Sequence, residues 1–376
     1  MPNAELEIVE VTDLSGLCRF VDFPYQLYQG SPYYVPVLKG DELNTLRRDR
    51  NPAFEFCEAR YWLAMRNGQV AGRIAGILNQ RHIDKWDQRY MRFGWIDFVD
   101  DEAVCRALLG AVEGWAGEKG MTAVHGPLGF TDLDREGMLV EGFDEKATLA
   151  TIYNHPYYPK HLEACGYRKD IDWVEYEMPL PEENERISRL AATVMRRNNL
   201  HLLDVKHKRQ MLRYADSLFE LLQEAYNHLY GFTPLSRKQV DAYIRQYFGF
   251  ISPEFVPIVL DEQDRMVAFG ITLPSLSSAL QKARGRLLPF GFLHLLHALR
   301  HNDRADLYLV AIREEYQGLG VNAILIQRMI EVFHRKGIQI VESNPELENN
   351  IRVQAQWKHF ERRQHKRRRC YIKQLN

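Results

Sequence analysis

The sequence predicts an α/β protein in which one structural unit is used twice. Two observations carry this. The order hairpin, strand, amphipathic helix, strand occurs in the first half of the chain and recurs in the second. Between the copies, at Pro179 to Asn184, two prolines are followed by acidic residues and the hydrophobic periodicity lapses. The length of 376 residues agrees, since about 150 residues per domain gives roughly two or three domains.

The first copy opens with apolar runs Ala59 to Met65 and Gln69 to Leu78, joined by Asn67-Gly68, a two-residue turn whose positions both tolerate positive φ. Phe93 to Val99 then reads as a strand and Glu102 to Glu118 as an amphipathic helix stopped at Gly120. Met121 to His125 is the next strand. The second copy has its hairpin in Phe255 to Leu260 and Met266 to Thr272. Strand Asp306 to Ile312, helix Val321 to Arg335, stop Gly337 and strand Ile338 to Glu342 follow. In that helix Val321, Leu325, Met329 and Val332 form one apolar stripe, while Gln327, Arg328, Glu331 and Arg335 face away. The inserted segment Ser275 to Asp303 distinguishes the second copy, which is about 20 residues longer than the first between its hairpin and its next strand. This order predicts a helix packed on a mixed sheet in each lobe, with lobes 1–183 and 184–376.

Composition excludes several classes. With 45% hydrophobic and 26% charged residues, the chain is neither disordered, collagenous nor coiled coil. Lys plus Arg (49) nearly cancels Asp plus Glu (50), so no global field draws the protein to nucleic acid or anionic membrane, and no nucleic-acid partner is expected. A phosphate-bearing partner must be held locally. Five scattered cysteines suggest reduced, structural thiols. The thirteen histidines lack metal-ligand spacing, and no metal is expected. Met1 to Val9 lacks the pattern of a signal peptide, and no stretch reaches the roughly 18 apolar residues of a membrane span, so the expected location is cytoplasmic.

The strand-to-helix turn of the second copy reads Arg313-Glu314-Glu315-Tyr316-Gln317-Gly318-Leu319-Gly320-Val321-Asn322. Two glycines one residue apart either just permit a tight turn or let backbone amides converge on an anion, aided by about half a positive charge at the helix N-terminus. The pattern is neither the dinucleotide fingerprint nor a P-loop.

Gln317-Gly318-Leu319-Gly320, opening a helix after a strand and preceded by a hairpin, resembles the acyl-CoA pyrophosphate loop of the GNAT acyltransferase superfamily, written Arg or Gln, x, x, Gly, x, Gly or Ala. In the first lobe, Tyr158 to Tyr167 is similar to the family's helix and turn before its final strands. Gly126-Pro127, Gly137 to Asp144 and Tyr157-Tyr158 also resemble an uncharacterised bacterial group of tandem GNAT-like proteins. The resemblance covers most of the chain as two GNAT-like lobes, each a mixed, mostly antiparallel sheet flanked by helices.

The resemblance implies an acyl-CoA co-substrate, acetyl-CoA or a longer acyl-CoA. Backbone groups of Leu309, Val310 and Ile312 would bind the pantetheine arm, and the turn Gln317, Gly318, Leu319, Gly320, Val321 and Asn322 would take the pyrophosphate. The first lobe instead reads Val99-Asp100-Asp101-Glu102-Ala103 at this point, which would repel phosphate, so one cofactor site is expected. Catalysis in this superfamily uses a general base and an acid, commonly a Tyr seven residues past an Asn. Counting from Asn350 gives Trp357, and the equivalent point in the first lobe is Leu162, so the usual acid is absent from both. Glu342, at a strand end, is the base candidate and is equally a solvated strand-end charge; Tyr371 is the acid candidate and is equally part of an edge strand.

Three further features have structural alternatives. Tyr25, Tyr28, Tyr33 and Tyr34, interspersed with prolines, either cover a cleft or pack under a loop. The basic run His365 to Arg369 would alone suggest RNA or anionic lipid, and reads as a solvated charged loop with at most one contact to a CoA phosphate. Arg286 to Arg300 is apolar but broken by Pro289 and Gly291; it suits core packing, a lid over an acyl chain, or an interfacial contact with a membrane. The expected activity is acyl transfer from acyl-CoA to an amine of a small molecule or lipid precursor by direct attack. The alternatives are a degenerate acyl-CoA-binding sensor or scaffold, and a Fem-type aminoacyl-tRNA-dependent transferase, against which the net charge of −1 argues.

Overall fold

The computed structural model describes residues 5–182, 185–205, 207–248, 251–358 and 360–375. It divides the chain into two compact units. The first holds residues 1–174, 277–294 and 365–376; the second holds 175–276 and 295–364. This differs from two lobes contiguous in sequence: part of the insertion and the C-terminal strand belong to the first unit. The expected boundary at residue 183 lies outside the described residues.

The first unit contributes β1 (Leu6–Glu10), β2 (Cys57–Arg66), β3 (Gln69–Asn79), β4 (Tyr90–Phe98), β5 (Ala123–Gly126), β6 (Met138–Glu141) and the start of β7 (Arg168–Pro179). The β2–β3 hairpin turns at Asn67 and Gly68 with φ of 50° and 75°, as the dipeptide requires. The second unit contributes β8 (His201–Leu202), β9 (Ile258–Leu260), β10 (Met266–Pro274), β11 (Arg304–Ile312), β12 (Ile340–Ser343) and β13 (Glu346–Leu347). The chain ends with β14 (Arg363–Gln374). In the first unit the strands run β1-β2-β3-β4-β5-β14-β7, with β6 beside β14. The second unit runs β7-β12-β11-β10-β9-β8. Each is a mixed sheet, mostly antiparallel, whose parallel pair is β4 with β5 in the first and β11 with β12 in the second.

The helix after each parallel pair's first strand covers the sheet. Helix Glu102–Glu118 buries Val104, Leu108, Val112 and Trp115 against Ile74, Met91 and Phe98. Helix Asn322–Lys336 buries Ile324 and Leu325 against Val259, Val267 and Ala268, and Val332 and Phe333 against Phe255 and Val341. Gly120 and Gly337 stop these helices' chains with φ of 65° and 73°, a conformation that costs an L-residue with a Cβ.

The C-terminal strand overturns two readings of the sequence. The basic run is not a solvated loop, because it lies in β14, an inner strand of the first unit and not an edge. Lys366 and Arg368 are buried, donating to the Lys146 and Ile152 carbonyls. Alternating with them along the strand, Arg367 and Arg369 converge on Asp172. Buried cations persist only when paired or hydrogen-bonded; here carbonyls accept from Lys366 and Arg368, while Asp172 pairs with the half-buried Arg367 and Arg369 and Glu141 also pairs with Arg367. The aromatic segment packs internally: Tyr28 is buried, with its hydroxyl bonded to Asp97 and Tyr158, each at 2.8 Å. No helix among the described residues is long and apolar enough to cross a membrane.

Candidate functional site

Strands β11 and β12 are parallel neighbours only from Arg304–Ile340 to Leu307–Ser343. Beyond that point Asn344 turns its amide onto the Leu307 carbonyl at 3.0 Å and its side-chain amide onto the Tyr308 carbonyl at 3.3 Å. Strand β11 runs on through Leu309, Val310 and Ile312, paired only on its other side with Ile271, Gly270 and Ala268 of β10. The pair therefore splays toward its C-terminal ends and leaves backbone groups of β11 facing a wedge. The Tyr226 hydroxyl reaches into this region and donates to the Val310 carbonyl at 3.2 Å, which leaves that oxygen one further lone pair.

At the end of β11, Glu314–Tyr316 make one 3₁₀ turn, and Gly318 and Gly320 follow with φ of 78° and 84°. Gly318 has open space where a Cβ would be, whereas a Cβ on Gly320 would lie 3.2 Å from Val194 Cγ2. Helix Asn322–Lys336 begins with no side-chain cap and no acid in its first turn. Two of its leading amides, Ala323 N and Ile324 N, turn back onto the Gly320 and Val321 carbonyls at 2.9 and 3.0 Å, whereas among the described residues the amides of Gly318 and Gly320 are not used in this way and are the donors the turn can offer an anion. Arg352 extends over this turn, holding the Gln317 side-chain oxygen at 3.1 Å. The sixth position of the family pattern, Gly or Ala, is Asn322 here.

The first unit has the same helix start in a different chemical state. Asp101 caps helix Glu102–Glu118, its Oδ1 accepting from Ala103 N at 2.8 Å and Val104 N at 3.3 Å, and pairs with Arg66. The protein's own carboxylate occupies the position where an anionic ligand would bind. The two helix starts therefore differ as their sequences do: one is filled by carboxylate, the other is open.

Glu342 lies on β12, 7% exposed, in register with Asp306 on β11 and Glu177 on β7. It is buried, not a solvated strand end. Burial, reinforced by Asp306 and then Glu342, pushes the Tyr308 hydroxyl well above the usual tyrosine range. Tyr371 belongs to the first unit, where it is fully buried in the core and donates to Glu163 Oε1 at 3.1 Å. Glu342 and Tyr371 thus fall in different units.

A carboxylate that the sequence did not single out, Glu346, follows the C-terminal end of β12. Burial pushes its pKa up to about 7 despite the Trp357 indole N–H donating to Oε1 at 2.7 Å and the positive charge of Arg362. Its charge bears on Tyr226, whose own hydroxyl burial pushes up to about 12. Trp357, the residue seven past Asn350, is thus the hydrogen-bond partner of a perturbed carboxyl. Spacing from Asn350 pointed at Trp357; nothing local pointed at Glu346.

Elsewhere, His125, Asp170 and Cys370 of the first unit each offer one ligand atom within 4.8 Å of the others. The positive charge of Arg92 bears on His125 and opposes a further cation there.

No protein-family model matches the chain. It is 27% identical over 392 residues to Protein YghO of Escherichia coli (strain K12), covering all of this chain and 99% of that one. It is 28% identical over 323 residues to the bacterial ceramide synthase of Caulobacter vibrioides (strain NA1000 / CB15N), covering 84% of this chain and 82% of that one. Among solved structures it resembles a tandem GNAT protein from the clavulanic acid biosynthesis pathway, with a TM-score of 0.55, 13% identity and 98% of each chain covered. It also resembles a GCN5-related glucosamine N-acetyltransferase region of a fungal multi-domain β-N-acetylglucosaminidase, with a TM-score of 0.57, 11% identity, and 99% of this chain and 38% of that one covered. At these identities the structural likeness concerns the fold.

Proposed function

We propose, on the premise that the chain carries the GNAT fold in tandem, that its second unit binds acyl-CoA and transfers the acyl group to a primary amine of a small molecule or lipid precursor. The observation that carries this reading is the presence, at the C-terminal ends of one splayed parallel strand pair, of an uncapped glycine turn and a carboxyl with a pKa of about 7. The first takes a pyrophosphate on backbone amides. The second is poised for general-base work near neutral pH.

The amine nitrogen attacks the thioester carbonyl carbon, a C–N bond forms and the C–S bond breaks. Glu346 takes the proton from the attacking nitrogen. Its carboxylic acid, at about 7, is stronger than a thiol at about 8.5 and returns that proton to the departing thiolate. One carboxyl then serves as both base and acid, in keeping with Trp357 at the usual acid position. The relative named ceramide synthase supports a long-chain amino alcohol as one acceptor to try.

The test is CoA release from acetyl-, octanoyl- and palmitoyl-CoA with a panel of primary amines that includes a long-chain amino alcohol, run beside calorimetry with CoA. Turnover of any pair supports the transferase. The Trp at the acid position favours a second reading, an acyl-CoA sensor, and CoA binding with no turnover across the panel selects it. Absence of CoA binding refutes both.

A further inference from the structure

The insertion presents a surface that acyl transfer does not explain. In the first unit, Leu288 is 77% exposed, Phe290 70%, Leu293 50% and Phe292 39%. Single exposed apolar residues are ordinary, but four within six positions form a patch that isolated soluble surfaces rarely carry. Core packing holds for Leu295 alone in this stretch, which is 4% exposed.

The patch stands on a built base. The Gln281 side-chain amide donates to the Pro32 and Tyr34 carbonyls at 2.8 and 2.9 Å, and the Gly285 carbonyl accepts from Lys39 N at 2.9 Å. At Gly285 a Cβ would strike the Tyr25 ring at 2.3 Å, and at Gly291 the Arg286 carbonyl at 1.8 Å. Both glycines are therefore required by close packing, and the tip is held outward as a folded projection.

Its charge is one-sided. Lys282, Arg284 and Arg286 are exposed at the base, and residues 265–302 contain no Asp or Glu. We infer that Lys282 to Leu293 docks the protein on the surface of an anionic phospholipid bilayer, its apolar tip entering the headgroup boundary. The helix that continues from the tip, Gly291–Ala298, has 8 residues, so the segment lies in the interface and does not span. Basic side chains near an anionic leaflet add their attraction to the burial of apolar surface. A two-fold contact with a second copy would set the same cations against each other.

The test reads binding without turnover and so stands apart from acyl transfer. The full chain is sedimented with vesicles of phosphatidylcholine alone and of phosphatidylcholine mixed with phosphatidylglycerol. Binding should favour the mixed vesicles and weaken as salt is raised. Leu288→Ser, Phe290→Ser and Leu293→Ser together should reduce it at least about tenfold, with the thermal midpoint little changed because these side chains are half or more exposed. Arg284→Gln with Arg286→Gln should erase the preference for the anionic lipid. No binding to either vesicle, or equal binding of wild type and triple variant, overturns the inference. So does a wild-type dimer in light scattering that the triple variant converts to monomer.

Discussion

Trp357 donates its indole N–H to Glu346 Oε1 across 2.7 Å, and this bond opposes the burial that raises the carboxyl's pKa. Burial disfavours the charged form, while the indole and Arg362 favour it; the balance falls at about 7. A group at that value is half ionised where cells operate.

Glu346→Gln should therefore lower kcat by about 10²- to 10⁴-fold with little change in KM for acyl-CoA, and the limb of the pH–rate profile near 7 should vanish. Glu342→Gln should keep that limb. If Glu342→Gln removes it and Glu346→Gln does not, the base is Glu342.

The same carboxyl makes a stability prediction of opposite sign. Its folded pKa is raised from 4.5 to about 7, so the folded state holds the proton more tightly than the unfolded chain does. Stability from this group is full below about 4.5 and is lost as pH rises toward 7. Glu346→Gln removes that penalty and should raise stability at pH 8 by up to about 3 kcal/mol, with little effect at pH 4. Thermal unfolding at the two pH values checks it.

At the glycine turn, charge and backbone strain must be separated. Gly320 has φ of 84°, which Asn and Asp both tolerate better than other side-chain-bearing residues. Gly320→Asp should weaken CoA binding by at least about 1.4 kcal/mol, about tenfold, relative to Gly320→Asn. Equal affinities in calorimetry would mean that no phosphate sits against this residue.

In the first unit Asp101→Ala should cost about 1 kcal/mol of stability through the lost cap. CoA affinity should not change. Denaturant unfolding and calorimetry read the two effects separately, and a large change in CoA affinity would place a cofactor at the first helix start.

The sequence by itself determined the elements whose causes are local. The Asn67-Gly68 turn, helix Glu102–Glu118 and the stops at Gly120 and Gly337 follow from positive φ and from a 3.6-residue apolar period, each legible within a few residues. The contrast between Asp101 and the Gly318–Gly320 turn was legible for the same reason, since a cap or its absence is written beside the helix it serves. Tertiary structure decided what depends on partners distant in sequence. Lys366 and Arg368 are buried because Lys146 and Ile152 bring carbonyls to β14. Leu288 and Phe290 are exposed because Gln281 and Gly285 tie the base of their segment to residues 32–39. Glu346 is perturbed because the chain after β12 folds so that burial of its carboxyl outweighs the opposing Trp357 hydrogen bond and Arg362 charge. A pKa is set by the surroundings a side chain ends in, and no spacing along the chain records those.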